Sequence, residues 1–396
     1  MADFDITDPA VIADPYPAFE RMRALGRPVW DDGLGMWLAF RHEDANAVLR
    51  DRALGRIWRA RAPEDAWDTF NWLHADALLE NEPPKHTRLR RLVAAAFARG
   101  NIESRRGRIQ ELCAALLDDC QAKLDSTGSF DAIADYAEPL PVLVIADLLG
   151  VPDDEIGPLR PWSQAIVKMY EYDRTPEDDA AAEVACREFA AYVDELVERR
   201  RTEPGDDLVT HLAQVEAEGD RLTAHELAAT VVLLLNAGHE ATVNGFGNGL
   251  VALLQHRDQW DRVVADPWGL ATTAVEEMLR YDTPSALFER TALADVEVGG
   301  VTIAEGQKVA ALLGSANRDG AVFADPDSFD VGRDPNPHIA FGAGIHFCLG
   351  GPLARLEMQQ SLPMLAERFP SLHEAGPAQQ RGTFVLRGYD TVPVTA

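Results

Sequence analysis

Residues 338–355 read HIAFGAGIHFCLGGPLAR, where Gly342, Gly344 and Gly350 bracket Cys348 and a helical pattern begins near Pro352. Glycine tolerates positive φ, so this spacing predicts a tight loop around one sulfur. The backbone N–H groups of such a loop, and the positive end of the helix that follows, favour the thiolate over the thiol. A thiolate held in this way is a good axial ligand for iron. The other cysteines have plainer surroundings. Cys113 and Cys120 lie seven residues apart in a helical stretch, about 10 Å along its axis, which is too far for a disulfide. Cys186 sits in the helix-like AAEVACREFAAYVDELVERR, and no CxxC or Cys/His cluster suggests zinc.

Helical periodicity dominates the rest of the chain. Segments 17–26, 42–51, 84–98, 104–125, 140–149, 178–202, 225–256, 270–282 and 352–369 carry apolar residues at i, i+3 and i+4. Strand candidates are short: PVWDD at 28–32, GMWLAF at 35–40, VEVGGVTIAEGQKVAALL at 296–313 and TFVLRG at 383–388. The expected fold class is mainly α with a small β part. Pro and Gly are scattered in short turns with no long linker, so one domain over residues 1–396 is expected. A chain of 396 residues buries roughly three quarters of its unfolded surface, enough to enclose a cofactor. The stretch 225–256 is apolar nearly all round its first half and should cross the core. Gly238 lies inside it at a cost of about 1 kcal/mol relative to Ala, and a ligand approaching the backbone is one reason for it.

Lys and Arg number 37 against 65 Asp and Glu, giving a formal net charge of -28. Such a surface repels phosphate backbones and anionic lipid, so neither nucleic acid nor membrane is an expected partner. The start, MADFDITDPA, lacks the plan of a signal peptide, and the apolar runs PVLVIADLLG and VVLLLNAG are too short to span a bilayer. A cytoplasmic protein is expected.

Residues 341–350, FGAGIHFCLG, resemble the haem-thiolate signature of the cytochrome P450 family, with Phe341, Gly344, His346, Cys348 and Gly350 on its defining positions. The resemblance implies a triangular, helix-rich domain around haem b, with Cys348 as the iron ligand whose electron donation favours O–O cleavage. It places His346 beside a haem propionate. In EEMLRY, Glu277 and Arg280 share one helix face; alone they read as a solvated surface pair, but they resemble the family's ExxR motif. Arg333 in PDSFDVGRDPNPH then resembles the third member of that structural network. His86 and Arg90 in PPKHTRLRRL, otherwise a basic surface helix, resemble the family's HxxxR, and Arg290 in FERTA a further propionate-binding arginine.

Ala237, Gly238, His239, Glu240 and Ala241 resemble the family's oxygen-side motif, with one departure: Ala241 stands where threonine is usual. Thr242 comes one residue later, rotated by about 100° around a helix, so it does not simply substitute. The resemblance gives that missing hydroxyl a part in proton delivery during O2 activation. A substrate hydroxyl, a water held by Glu240, or direct use of peroxide would each fill the gap. Glu240 is the expected acid for proton delivery.

The segment 56–80, RIWRARAPEDAWDTFNWLHADALLE, falls where the family folds a mobile loop over substrate. Trp58, Trp67, Phe70 and Trp72 line a pocket or pack as core, and Arg59 and Arg61 meet a substrate carboxylate or water. By resemblance, Leu233 and Ala237, with Ser285, Ala286 and Leu287, complete walls suited to a lipophilic terpenoid, steroid, polyketide or aromatic compound. The family resemblance implies a monomeric monooxygenase using O2 and electrons from a separate ferredoxin or similar protein. Arg99, Arg105, Arg106 and Arg108 form a basic stretch for such an acidic partner, or a solvated helix end. The alternatives are a peroxide-driven or otherwise atypical haem-thiolate enzyme, which Ala241 encourages, and a non-catalytic haem module, against which Glu240 argues.

Overall fold

The computed structural model describes residues 4–214 and 221–396. They form twelve helices of eight residues or more: α1 (Tyr16–Arg23), α2 (His42–Arg50), α3 (Asp68–Ala75), α4 (Lys85–Ala94), α5 (Arg106–Thr127), α6 (Pro139–Leu149), α7 (Leu159–Val167), α8 (Pro176–Thr202), α9 (Ala224–Gln255), α10 (Arg257–Ala265), α11 (Pro267–Tyr281) and α12 (Gly351–Arg368). The chain forms two compact units. One comprises the residues up to Gly55, Arg106–Leu140 and Ala241–Ala396, and the other Arg56–Arg105 and Pro141–Glu240. The long helix α9 contributes its first half to the second unit and its second half to the first.

The first unit carries a five-stranded sheet of β1 (Val29–Asp31), β2 (Met36–Ala39), β3 (Leu54–Gly55), β4 (Leu287–Ala292) and β5 (Lys308–Leu312), in the order β1-β2-β5-β4-β3. β2 and β5 run parallel, pairing Met36 with Lys308, and β4 is antiparallel to β5, pairing Leu287 with Leu312. The apolar stripes of α5, α9, α11 and α12 meet in one buried cluster that includes Leu117, Phe246, Leu250, Met278, Met358 and Leu362. The fully buried Tyr136 donates its hydroxyl to the Ser361 carbonyl at 3.0 Å, satisfying the one polar atom the ring brings into that core. The structure agrees with the mainly α expectation.

In the second unit α8 packs against α7 and α3. Its start is written locally: Pro176 follows the N-cap Thr175, whose hydroxyl accepts from Asp178 while Asp178 accepts from the Thr175 N–H. Glu177, Asp178 and Asp179 occupy the first turn and Arg199, Arg200 and Arg201 the last, complementing the helix dipole. Across the unit, the Glu183 carboxylate accepts the N–H groups of Thr69 and Phe70 at 2.9 Å each, so a residue of α8 supplies the orphan donors at the start of α3.

Three expectations are corrected. TFVLRG makes only an isolated bridge, Ser285 to Leu386, because its backbone is spent on the turn after α11: Arg387 N–H donates to the Pro284 carbonyl and Ala286 N–H to that of Val385, both 2.8–2.9 Å. LFERTA, read only for its arginine and pocket residues, is the interior strand β4, paired on both sides; Glu289 and Arg290 interrupt its apolar pattern, and pairing with β5 and β3 decides its state. The loop expected over residues 56–80 contains the helix α3. Gly238 also has a packing reason, since a Cβ there would press on Ile145 Cγ1 at 3.1 Å, tighter than most real contacts.

Candidate functional site

The Cys348 loop is closed by its own backbone. Gly342 N–H donates to Ile339 O at 2.9 Å, Phe347 N–H to Gly344 O at 3.2 Å, and Cys348 N–H to Phe341 O at 3.0 Å. Gly342 and Gly344 adopt φ of +72° and +71°, the left-handed region that favours glycine. A Cβ on Gly344 would collide with the Leu49 carbonyl oxygen, a backbone atom of α2 that cannot swing aside. Gly344→Ala is therefore expected to cost more than the roughly 1–2 kcal/mol of a left-handed L-residue. Gly350, at φ -79° with nothing within 4 Å of an added Cβ, should tolerate Ala with little loss of stability. Thermal unfolding of the two variants checks the contrast.

Gly350 is the N-cap of α12, and Pro352 lies in its first turn. The loop thus leaves Cys348 two residues ahead of Gly350, partly exposed, whereas Cys113, Cys120 and Cys186 are buried. Burial pushes the thiols of Cys113 and Cys120 up to about 12, which keeps them protonated and inert. Phe347, the residue before Cys348, is 40% exposed. His346 ends the short 3-10 turn Gly344–His346 and is partly exposed, while Arg290 is 3% exposed on β4 and donates Nη1 to the Glu289 carbonyl at 2.8 Å.

Behind the loop, the structure brings Glu277, Arg280 and Arg333 together. Arg280 and Glu277, both wholly buried, form a two-pronged pair with Nε to Oε2 at 2.7 Å and Nη2 to Oε1 at 2.8 Å. The reading of EEMLRY as a solvated surface pair fails on this burial. The remaining Arg280 donors reach the carbonyls of Asn317 (3.0 Å), Pro326 (2.7 Å) and Ser328 (3.0 Å). Arg333 Nε lies 3.1 Å from Glu277 Oε2, and the Asp330 N–H and Asn336 Nδ2 add donors to the same carboxylate at 2.9 and 3.1 Å. A buried carboxylate needs this many donors to offset its lost hydration. Sequence reasoning missed Asn336; the only signal was its position three residues after Arg333.

In the second unit, His86 is buried and Arg90 partly buried on one face of α4. On α9, Glu240 and His239 are 5% and 2% exposed, with Oε1 and Nδ1 3.7 Å apart. Ala237 is exposed, and Leu233 and Gly238 are partly exposed, on a helix whose neighbours Leu234 and Leu235 are buried. In the first unit Thr242 is 8% exposed and Ala241 more open, as expected for consecutive residues on different helix faces. Ser285, Ala286 and Leu287, leading into β4, are buried.

The aromatic segment divides. Trp67 and Phe70 are buried, and the Arg61 guanidinium lies 4.9 and 5.0 Å from their ring centroids while donating to the Met169 carbonyl at 3.1 Å. Trp58 is partly exposed and its ring stacks on the buried His74 at 5.0 Å. Trp72, 39% exposed, stacks on His225 at 3.9 Å. Arg59 and Arg99 are exposed; Arg105 pairs with Asp147 at 3.2 Å and Arg108 with Glu111 at 3.4 Å, so part of the basic stretch is neutralised locally.

These donors fit a haem. A soft sulfur in a backbone-closed loop and a buried arginine in the same unit supply an iron ligand and a counter-charge for a carboxylate. Among the described residues no helix is long and apolar enough to cross a membrane. Comparison with known proteins agrees with the geometry. The family described as Cytochrome P450 matches residues 36–266 and 269–386. Cytochrome P450 107B1 of Saccharopolyspora erythraea is 41% identical over 98% of this chain and 96% of its own. The 6-deoxyerythronolide B hydroxylase of the same organism is 38% identical over 98% of both chains. The crystal structure of P450BioI, in complex with an acyl carrier protein ligated to hexadec-9Z-enoic acid, superposes with a TM-score of 0.92 at 34% identity over 98% of both chains. With its glycine-closed cysteine loop and buried Glu277–Arg280–Arg333 network, the chain belongs to the cytochrome P450 family and is an oxidoreductase of the monooxygenase type.

Proposed function

We propose that the protein binds haem b through Cys348 and hydroxylates a lipophilic small molecule with O2 and two electrons from a separate ferredoxin-like protein. The observation that carries this reading is the Cys348 loop, a partly exposed thiol ahead of helix α12, closed by the Cys348 N–H bond to Phe341 O. Bound haem supplies the activation of O2, a chemistry no amino-acid side chain provides. The protein's part is to hold, orient and protonate. Arg290 and His346 offer donors to the propionates, and the HxxxR spacing assigns His86 and Arg90 the same role. Leu233 and Ala237 of α9 present small or apolar surface to a substrate of the terpenoid, steroid, polyketide or aromatic type; Ser285, Ala286 and Leu287, given the same role by the resemblance, are 8%, 0% and 3% exposed and carry less of it. The name of the 6-deoxyerythronolide B hydroxylase supports a substrate of this character. The acidic composition suits a cytoplasmic, monomeric enzyme, and the arginines at 99, 105, 106 and 108 suit an acidic electron donor.

Glu240, its side chain buried beside His239, is the acid we assign to proton delivery. Ala241 offers no hydroxyl to pass that proton on, so a substrate hydroxyl or an ordered water completes the route. For a substrate lacking a suitably placed hydroxyl, wild type is expected to release much of its electron supply as peroxide, and Ala241→Thr to raise the yield of product per electron. The check is product formed against peroxide released in both proteins; equal yields would remove the role assigned to position 241. Turnover with peroxide alone, equal to turnover with O2 and an electron donor, would favour the peroxide-driven alternative.

A further inference from the structure

Glu276 precedes Glu277 on α11, and consecutive helical residues point about 100° apart. Glu277 faces the buried arginine network, and Glu276 faces the cysteine loop and α12. Its Oε1 accepts from Arg355 Nε at 2.6 Å and its Oε2 from Arg355 Nη2 at 2.8 Å, a parallel fork. Oε2 also lies 2.8 Å from His338 Nε2. The Ala340 N–H donates to His338 Nδ1 at 3.2 Å, which makes Nδ1 the acceptor and assigns the ring proton to Nε2, facing Glu276. The Glu276 side chain is partly buried; burial alone would raise its carboxyl, but the hydrogen bonds of Arg355 and His338 hold it down to about 2.

From this carboxylate the contacts lead to the Cys348 backbone in two steps. The Arg355 guanidinium lies 4.2 Å from the centroid of the Phe341 ring. The Phe341 carbonyl accepts the Cys348 N–H at 3.0 Å. His338 and Ala340 hold the entry to the same loop, and Arg355 sits on the helix that follows it. The loop is therefore gripped before and after Cys348 by one charged side chain anchored on α11.

We propose that Glu276, His338 and Arg355 form a positioning network that fixes the Phe341–Cys348 loop and sets the reduction potential of the iron ligated there. The proposal rests on Cys348 as the haem ligand. Its paired charges balance, so removing either one leaves the other acting on the iron.

The test is the midpoint potential of haem-loaded wild type, Glu276→Gln, Arg355→Gln and Arg355→Lys, with the reduced carbon monoxide spectrum recorded for each. Glu276→Gln leaves Arg355 uncompensated, which favours the ferrous state. The ferrous to ferric ratio at fixed potential is expected to rise about tenfold, equivalent to about 59 mV for a one-electron couple. Arg355→Gln leaves the carboxylate uncompensated and should move the ratio the other way by a similar factor. Arg355→Lys keeps the charge without the fork and should fall between wild type and Arg355→Gln. General loosening of the fold would move both glutamine variants in one direction, so shifts of the same sign, or potentials equal to wild type in all variants, overturn the network. Should Arg355→Gln take up no haem, the opposite displacement of Glu276→Gln and Arg355→Lys decides. A wild-type spectrum without the red-shifted thiolate band would instead overturn ligation by Cys348 itself.

Discussion

Cys348→Ser is expected to lose the red-shifted carbon monoxide band of the reduced protein and at least about a thousandfold in oxygenase turnover, equivalent to roughly 4 kcal/mol of barrier. The serine hydroxyl stays protonated where a thiolate would donate electron density. The substitution leaves the loop intact, because its closing bonds run between backbone atoms, Cys348 N–H to Phe341 O and Phe347 N–H to Gly344 O. Melting of the haem-free protein should accordingly stay close to wild type. A serine variant that kept the thiolate band would remove Cys348 as the ligand, and one that failed to fold would contradict the backbone origin of the loop.

The second large effect is expected at Arg280. Its side chain and that of Glu277 have no exposure, so Arg280→Ala leaves a buried carboxylate short of two donors and the carbonyls of Asn317, Pro326 and Ser328 each short of one. Breaking a buried pair by removing one partner costs about 3–5 kcal/mol, a large share of the stability of an ordinary domain. Lysine should recover little, having three donors in place of the planar fork. Arg333→Ala, with its side chain 12% exposed and Asn336 and Asp330 remaining on Glu277, should cost less. Denaturant unfolding of the haem-free proteins orders the three. An Arg280→Ala protein within 1 kcal/mol of wild type would mean that this network adds little to stability.

Nine of the twelve helices could be read from the chain because their signals are local, whereas α3, α7 and α10 were not read. Segment 178–202 falls within α8, Pro176–Thr202, and 352–369 within one residue of α12, because capping and apolar spacing act over a few residues. The cysteine loop was visible for the same reason, since its glycines and its sulfur lie within ten residues. The strands were less visible. LFERTA became β4 only by pairing with Lys308–Leu312, and TFVLRG lost its strand to hydrogen bonds with the turn after α11.

Long-range side-chain partnerships left still less trace. Glu276 carries no local signal, since its partners His338 and Arg355 lie 62 and 79 residues away. Trp72, an apparent pocket residue, found His225 at a separation of 153. Composition, helical periodicity and the spacing around Cys348 determined the fold class, most of the helix positions and the glycine-closed cysteine loop, because each is set by neighbours along the chain. The pairing of β4, the burial of Glu277 with Arg280 and the grip of Glu276 on the cysteine loop were decided by tertiary structure, because desolvation and charge pairing depend on distance in space.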